Sequence, residues 1–386
     1  MTRFKRRKIA GVVKCIILML VPFCTAGMAK GIPFIKSAID RIGSISIGGS
    51  DDETVEKSDY YRIPQKNASK DFLDSSIILS EGYGISAEED CSLDINLQNP
   101  LDMVSDNPGE KPYPDEGEWT AGIDIVRTTY GEYSGTSFFN LSDGGQVNNK
   151  TSVSNSILID ESRLLPDFTI SDTDEPQVLI YHTHTTESFE PYVRENLDAN
   201  FNYRTTDETK NMIMVGNAIQ AELESQGIGV IHVTEIHDYP SYNGSYGRSR
   251  ESIVPILEQY PSIKVALDIH RDAISSDTFA AQPYIEIDGK EAAQIMIISG
   301  CDDGTLDMPN YMKNFHFACS LQQQLEKDYT GLTRPILFDY RHYNQDLTTG
   351  SLLIEVGSHG NTLEQVQYSG QLIGRSLSGL LNKIKE

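Results

Sequence analysis

From residue 178 to the end of the chain, short apolar runs rich in β-branched residues alternate with longer stretches of helical periodicity. The pattern predicts strands over 178–182, 229–234, 263–270, 293–299, 336–340 and 351–356, and helices over 207–226, 246–260, 310–328 and 363–385. Strands and helices that take turns in this way build a mainly parallel sheet, because each parallel connection crosses back over a face of the sheet. The expected fold class is α/β, a mixed, mainly parallel sheet of about six strands flanked by helices. The mixed character is read from residues 284–289, a strand ending in an Asp-Gly hairpin turn.

Upstream the pattern weakens. Residues 122–130 and 154–160 show short β-rich alternation around a Gly/Asn-rich turn from Gly144 to Asn149, and predict a small β-rich segment over 121–175. The polar run 172–176, closed by Pro176, marks a break before a domain over 176–386. Between Asp51 and Thr120, 18 acidic residues stand against five basic ones, with prolines at 64, 100, 108, 112 and 114 and no sustained period. A stretch of this kind cannot bury enough apolar surface to offset its ordering entropy, so residues 30–120 are expected to be a flexible acidic linker. At the start, Arg3-Phe-Lys-Arg-Arg-Lys8 precedes a mostly apolar run over 9–29 interrupted by Lys14 and Pro22. That is the pattern of an export signal or a single-pass membrane anchor with its positive charge inside. Retention as an anchor over 1–29 is the favoured reading, and either reading puts the bulk of the chain outside the cytoplasm.

Charge and cysteines narrow the chemistry. A formal net charge of −24 without a basic stripe beyond the N-terminus argues against nucleic acid as a partner. The five cysteines form no framework: Cys15 and Cys24 lie in the apolar run and Cys91 in the acidic stretch, while a Cys301–Cys319 bridge stays open. With no Cys-x-x-Cys pair, a thiolate zinc site is not expected.

Three strand ends carry histidines or carboxylates. Val178-Leu-Ile-Tyr-His-Thr-His-Thr-Thr-Glu187 runs an apolar strand into His182, His184 and Glu187; the strand over 263–270 ends in His270, Arg271 and Asp272; Glu355 sits within Leu352-Leu-Ile-Glu-Val-Gly357. Sites in open α/β sheets form beyond the carboxyl ends of strands, so these segments are expected to converge. A catalytic zinc takes three protein ligands, commonly two His and one Glu, and the natural set is His184, Glu187 and His270. Glu355 is the candidate carboxylate for moving the proton, because a carboxylate inside an apolar strand is costly unless it is paired or catalytic; a salt-bridged core Glu is the plain alternative. His182 and His184 alternate, so an extended strand would put them on one face, with His182 as a hydrogen-bonded neighbour, a core histidine or a substrate contact. Asp268 and Asp272 are read as carboxylates that orient His270. His270-Arg271-Asp272 also matches a kinase catalytic-loop tripeptide, but the chain has neither the glycine-rich loop nor Asp-Phe-Gly. In the loop Arg341-His-Tyr-Asn-Gln-Asp346, Arg341 and Asn344 are candidates for reading a polar substrate, with Arg341 on a peptide carboxylate. Arg248 and Arg250 face either substrate or acidic neighbours. His232, His237, His316 and His359 lack a paired context and are read as structural.

Four ordered motifs, Tyr181-His-Thr-His-Thr-Thr-Glu-Ser188, Asp268-Ile-His-Arg-Asp272, Tyr343-Asn-Gln-Asp346 and Leu353-Ile-Glu-Val-Gly357, resemble those of the stage II sporulation protein P family, exported peptidoglycan hydrolases of endospore-forming bacteria, over residues 150–386. The resemblance implies a zinc-dependent N-acetylmuramoyl-L-alanine amidase domain related to the amidase-3 group, with a mixed six-stranded sheet. It implies cleavage of the amide between the muramic acid lactyl group and L-alanine, with stem-peptide crosslinks as a further target. His184, His270 and Glu355 match the group's zinc histidines and catalytic Glu by position. The third ligand is Glu187, with Glu208 as competitor. Also implied are a membrane complex with two other engulfment proteins, one of them glycan-cleaving, and a catalytic domain lying between the membranes of a sporulating cell. A catalytically inert wall-binding scaffold and a zinc carboxypeptidase are the alternative readings.

Overall fold

The computed structural model describes residues 109–386 except Glu116 and Glu118, so the expected anchor, most of the acidic linker, and Cys15, Cys24 and Cys91 lie outside the described residues. Twelve strands and five helices are formed there: β1 (Ala121–Thr128), β2 (Phe138–Asn140), β3 (Gln146–Asn149), α1 (Asn155–Glu161), β4 (Pro176–Tyr181), β5 (Asn196–Asp198), α2 (Met212–Ser225), β6 (Gly229–His232), α3 (Ser245–Gln259), β7 (Val265–Asp272), β8 (Phe279–Ile287), β9 (Lys290–Ala293), β10 (Ile295–Gly300), α4 (Tyr311–Asp328), β11 (Ile336–Asp339), β12 (Gly350–Ser358) and α5 (Leu363–Lys383). Among the described residues no helix is long and apolar enough to cross a membrane.

The six expected strands lie side by side in one sheet, β11-β10-β12-β7-β4-β6, which β3 and β2 extend to eight strands beyond β11. All its pairs are parallel except β10 with β12 and β2 with β3. The sheet is therefore mixed, but for a different reason from the one expected. The Asp288-Gly289 hairpin, with φ of 52° and 76° as a type I′ turn requires, joins β8 to β9 in a separate four-stranded sheet, β5-β1-β8-β9. Local turn chemistry fixed the hairpin, and tertiary pairing decided which sheet received it.

Alternation along the central strands sends side chains to two different cores. Ile180, Leu267, Ile269, Leu352, Ile354 and Val356 join the large core with Val215 and Ile219 of α2, Phe315 and Leu321 of α4, and Leu372 and Ile373 of α5. Each such buried side chain contributes about 1.5–3 kcal/mol of transfer free energy. On the opposite face, Leu179 and Tyr181 meet Ile253 of α3, while Met296, Ile298 and Leu353 are covered by Tyr343 of the 341–346 loop and by Tyr246. Gly216 lets α2 approach β4 and β6 so closely that a Cβ there would overlap the His232 and His182 imidazoles. A complete capping box, Thr362 with Gln365, starts α5.

Two further expectations are corrected. Residues 154–160 are helical, not β: the Ser154 side chain caps the Ile157 amide and starts α1, whose Leu158 is fully buried while Ile157 faces solvent. The Gly144-Gly145 turn ends sooner than expected, since Gln146–Asn149 form β3. Cys301 and Cys319 are both buried and free, so no bridge joins them.

Candidate active site

Three neighbouring parallel strands, β4, β7 and β12, deliver the strand-end groups to one rim of the sheet. Glu355 pairs in register with His270, so both side chains rise from the same face, and Asp268, two residues before His270, shares that face.

The turn after β4 is built by its threonines. Thr183 donates through its amide and hydroxyl to the two oxygens of the buried Asp268, at 2.8 and 2.7 Å. Thr185 Oγ1 donates to the His182 carbonyl at 2.9 Å, and Thr186 donates through amide and hydroxyl to Asp238, at 3.0 and 2.7 Å. The run His-Thr-His-Thr-Thr-Glu thus uses every threonine as a fastener. Because the chain is already turning at His182, the expected shared face of His182 and His184 does not form. His182 is fully buried on the α2 side, Nδ1 at 2.9 Å from the Ile269 carbonyl and Nε2 at 2.8 Å from His232 Nε2. His232, read as unpaired, is its partner.

His184 turns to the α3 side. Its ring stacks on Tyr242 with centroids 4.5 Å apart, meets Tyr246 and His270 edge-on, the latter at 5.1 Å, and has Nδ1 3.3 Å from Ser245 Oγ. Among the described residues the hydrogen bond of this ring is made through Nδ1, not Nε2. Burial, reinforced by His270 and three arginines, holds this imidazole well below its usual pKa and hence neutral. Glu187 is buried, with Oε2 accepting from the Arg271 amide at 3.0 Å and lying 4.0 Å from His270 Nδ1, and Oε1 3.3 Å from Arg204 Nη2. Burial alone would depress His270, but Asp268 beside it, with Glu187 and Glu355, overrides that and raises its pKa to about 9. Its Nε2 lies 2.8 Å from Asp268 Oδ1 but off the line of a hydrogen bond, so this contact is ionic and the nitrogen's hydrogen-bonding capacity is unmet.

Glu355 keeps some surface open to solvent, yet its Oε2 is enclosed and has no hydrogen-bond partner. Burial first, then Asp272 and Glu187, push its carboxyl up to about 8 against the opposing pull of His270 and Arg334. The plain alternative, a core Glu satisfied by a salt bridge, is not what the structure contains: Glu355 has no ion-pair partner among the described residues, and Arg334 pairs with Asp272 at 2.8 Å. Asp272 also accepts from the Ala273 amide.

The side chains of the remaining sequence candidates are engaged in other contacts. Arg271 turns its side chain away from His270, donating to the Tyr203 and Asp272 carbonyls at 3.0 and 3.3 Å. Arg341 is ion-paired with Asp339 at 3.2 Å, and Asn344 donates to the Tyr246 carbonyl and Ser249 Oγ. Since β11 runs with β10, and β10 runs against β12, the 341–346 loop leaves the sheet at the rim opposite the carboxyl end of β12. Its contacts brace α3: Arg250 grips both oxygens of Asp346 at 2.8 and 2.6 Å. Arg248 donates to the carbonyls of His237, Ser241 and Asn243. Glu208, the competing ligand, is exposed on the turn before α2. Sequence reasoning missed Tyr242, which stacks on His184, and the Arg204–Asp238 pair that braces Glu187. No periodicity or motif marked these loop residues.

The donor chemistry suits a divalent metal: a neutral imidazole with one nitrogen held by a hydroxyl, a second imidazole, and a carboxylate 4.0 Å from it. Among the described residues, however, no three His, Cys, Asp or Glu side chains close on a common point, since Glu187 leans to Arg204 and His270 to Asp268.

Residues 127–378 match the family model described as Stage II sporulation protein P. A curated protein of that name from Bacillus subtilis (strain 168) is 32% identical over 206 residues, covering 50% of this chain and 48% of that protein. The chain thus spans about half the length of this relative. Among solved structures, the CwlD amidase from Clostridioides difficile, in complex with the GerS lipoprotein, aligns with a TM-score of 0.35 at 11% identity, over 54% of this chain and 99% of that one. The N-acetylmuramoyl-L-alanine amidase AmiC2 of Nostoc punctiforme gives 0.33 at 11% identity, over 54% and 96%.

Proposed function

The chain belongs to the stage II sporulation protein P family, and on that premise we propose that it is a peptidoglycan hydrolase, a zinc-dependent N-acetylmuramoyl-L-alanine amidase that remodels the cell wall during engulfment in sporulation. The observation that carries this reading is the meeting of His184, Glu187, His270 and the unpartnered Oε2 of Glu355 at one rim of the sheet. His184 through Nε2, His270 and Glu187 are the residues that would hold zinc. When bound, zinc polarises an amide carbonyl and acidifies water.

The rest is the work of side chains. Glu355 Oε2 takes a proton from the attacking water and delivers it to the departing amide nitrogen. The ionised carboxylate accepts the first proton, and burial, which favours the protonated form, lets it hold that proton until the second transfer. Asp268 keeps His270 in place by charge and, through Thr183, fixes the turn that carries His184. Tyr242 and Tyr246 wall the His184 ring, restricting its rotation and shielding that side of the site from water.

The same reading assigns residues 1–29 to a single-pass membrane anchor, 30–120 to an acidic flexible linker, 121–175 to a small β-rich segment and 176–386 to the catalytic domain. The enzyme would act outside the cytoplasm, between the membranes of a sporulating cell, beside other engulfment membrane proteins. The purified chain, incubated with zinc and intact sacculi, should bind about one zinc per chain and release stem peptides with a free N-terminal L-alanine, detected by mass spectrometry. Release of single terminal amino acids would point instead to a carboxypeptidase. Sacculus binding with no cleavage would point to an inert scaffold, and either result overturns the amidase.

A further inference from the structure

Next to the candidate active site, between the four-stranded sheet and the carboxyl end of β7, lies a pocket of about 410 Å3. Its walls are apolar, formed by Ile123 of β1, Leu197 of β5, and Phe201 and Tyr203 of the following loop, which pack as one small cluster. Arg271 and His359 line it, 7% and 8% exposed.

Arg271 is unusual among the chain's shielded arginines. Arg204 has Glu187 and Asp238, and Arg334 has Asp272. Among the described residues no carboxylate lies within ion-pair reach of the Arg271 guanidinium, which has only two backbone carbonyls as acceptors. Its Nε is enclosed and unpartnered, as is His359 Nδ1. Glu187, Glu355 and Asp272 attract the guanidinium only from farther off; a buried cation with no carboxylate in contact is costly, and a carboxylate in the pocket would relieve that cost. Asp198, the one acidic residue lining the pocket, is already engaged by the amides of Thr120 and Asn200 at 3.2 and 3.0 Å.

Successive strand residues point to opposite sides, so His270 faces the reacting groups while Arg271 faces the pocket. A ligand lying over the end of β7 would therefore touch both. We propose that this pocket is a subsite for a carboxylate-bearing peptide segment of the molecule cut next door, its carboxylate paired with Arg271 and its apolar part against Ile123, Leu197 and Phe201. On this view the four-stranded sheet forms one wall of the substrate site. The inference rests on the amidase reading of the neighbouring residues.

The test uses the full chain carrying Glu355→Gln, so that ligand stays uncut, titrated by calorimetry with a soluble disaccharide-tripeptide muropeptide and with the same muropeptide amidated at its peptide carboxylates. The free acid should bind about tenfold more tightly than the amide, the usual scale for a hydrogen bond to a charged group. Adding Arg271→Gln should reduce that ratio to about one. Ala199→Trp, placed on the exposed rim of the pocket, should weaken binding of the acid about tenfold with an unchanged circular dichroism spectrum. Equal affinity for acid and amide overturns the proposal, as does a preference that survives both substitutions. A purely structural Arg271 would weaken both ligands alike and leave the ratio intact. Cleavage is read separately with the unsubstituted chain: acid preference without release of stem peptides removes the amidase and keeps the pocket, whereas cleavage with no acid preference does the reverse.

Discussion

The rim that carries Glu355 and the loop that leaves the opposite rim are furnished with similar residue types, but their polar atoms are matched very differently. At the rim where β4, β7 and β12 end, Glu355 Oε2 has no hydrogen-bond partner among the described residues, His270 Nε2 meets Asp268 Oδ1 off the line of a hydrogen bond, and both side chains have pKa values well above their usual ones. The loop leaving the opposite rim, after β11, has Asp346 gripped by Arg250, Asn344 bonded to α3, and Gln345 accepting from the Gly300 amide while donating to the Ile298 carbonyl. Matched polar networks fix position. Unmatched buried groups cost free energy and persist where a function uses them, so the difference separates scaffold from chemistry better than residue type does.

The comparison can be broken most sharply at Glu355. Glu355→Gln keeps the shape of the side chain but cannot accept a proton, and should lower the rate of amide cleavage by roughly 10²–10⁴-fold with the thermal midpoint at or above that of the unsubstituted chain. A comparable fall in stability would show that Glu355 is a scaffold residue. His184→Ala should abolish stoichiometric zinc binding, read by atomic absorption after gel filtration; full retention of zinc would remove His184 from the ligand set.

Acid–base linkage sharpens the contrast further. The folded state raises Glu355 from 4.5 to about 8, so it holds that proton more tightly than the unfolded chain does. The resulting stability is fully present below pH 4.5 and is lost as pH rises through about 8. His270, raised from 6.5 to about 9, acts in the same direction. Thermal melts in chelator should therefore fall between pH 5 and 8, and fall less for Glu355→Gln; identical slopes would contradict the burial of that carboxyl. The smallest effect is expected at the matched rim, where Arg250→Ala removes a half-exposed pair and should cost about 1 kcal/mol, a few degrees in the thermal midpoint. Turnover per folded molecule should be unchanged, and a large loss of turnover would erase the distinction between the rims.

Much of this architecture was legible in the chain. The apolar runs of the six central strands are strong, and α3, α4 and α5 begin within one residue of their periodic patterns. The juxtaposition of His184, Glu187, His270 and Glu355 followed from their places at strand ends. What escaped depended on long-range pairing. Residues 157–159, Ile-Leu-Ile, are as β-rich as a strand, but Ser154 supplies a cap and the segment coils. Nothing local says that β10 runs against β12, so the chain alone does not show at which rim the 341–346 loop lies. Arg204, Asp238 and Tyr242 come from loops without periodicity and reach the site only through the fold.

The place of β12 in the sheet has a consequence for how the molecule comes into being. It is the last described strand in the chain and yet a central one, joining β10 on one side to β7 on the other. Until it emerges during synthesis, β10 and β7 have no strand between them and the eight-stranded sheet cannot close. The strand that completes the sheet is also the one that brings Glu355. An incomplete chain therefore has neither a finished sheet nor Glu355 at its rim.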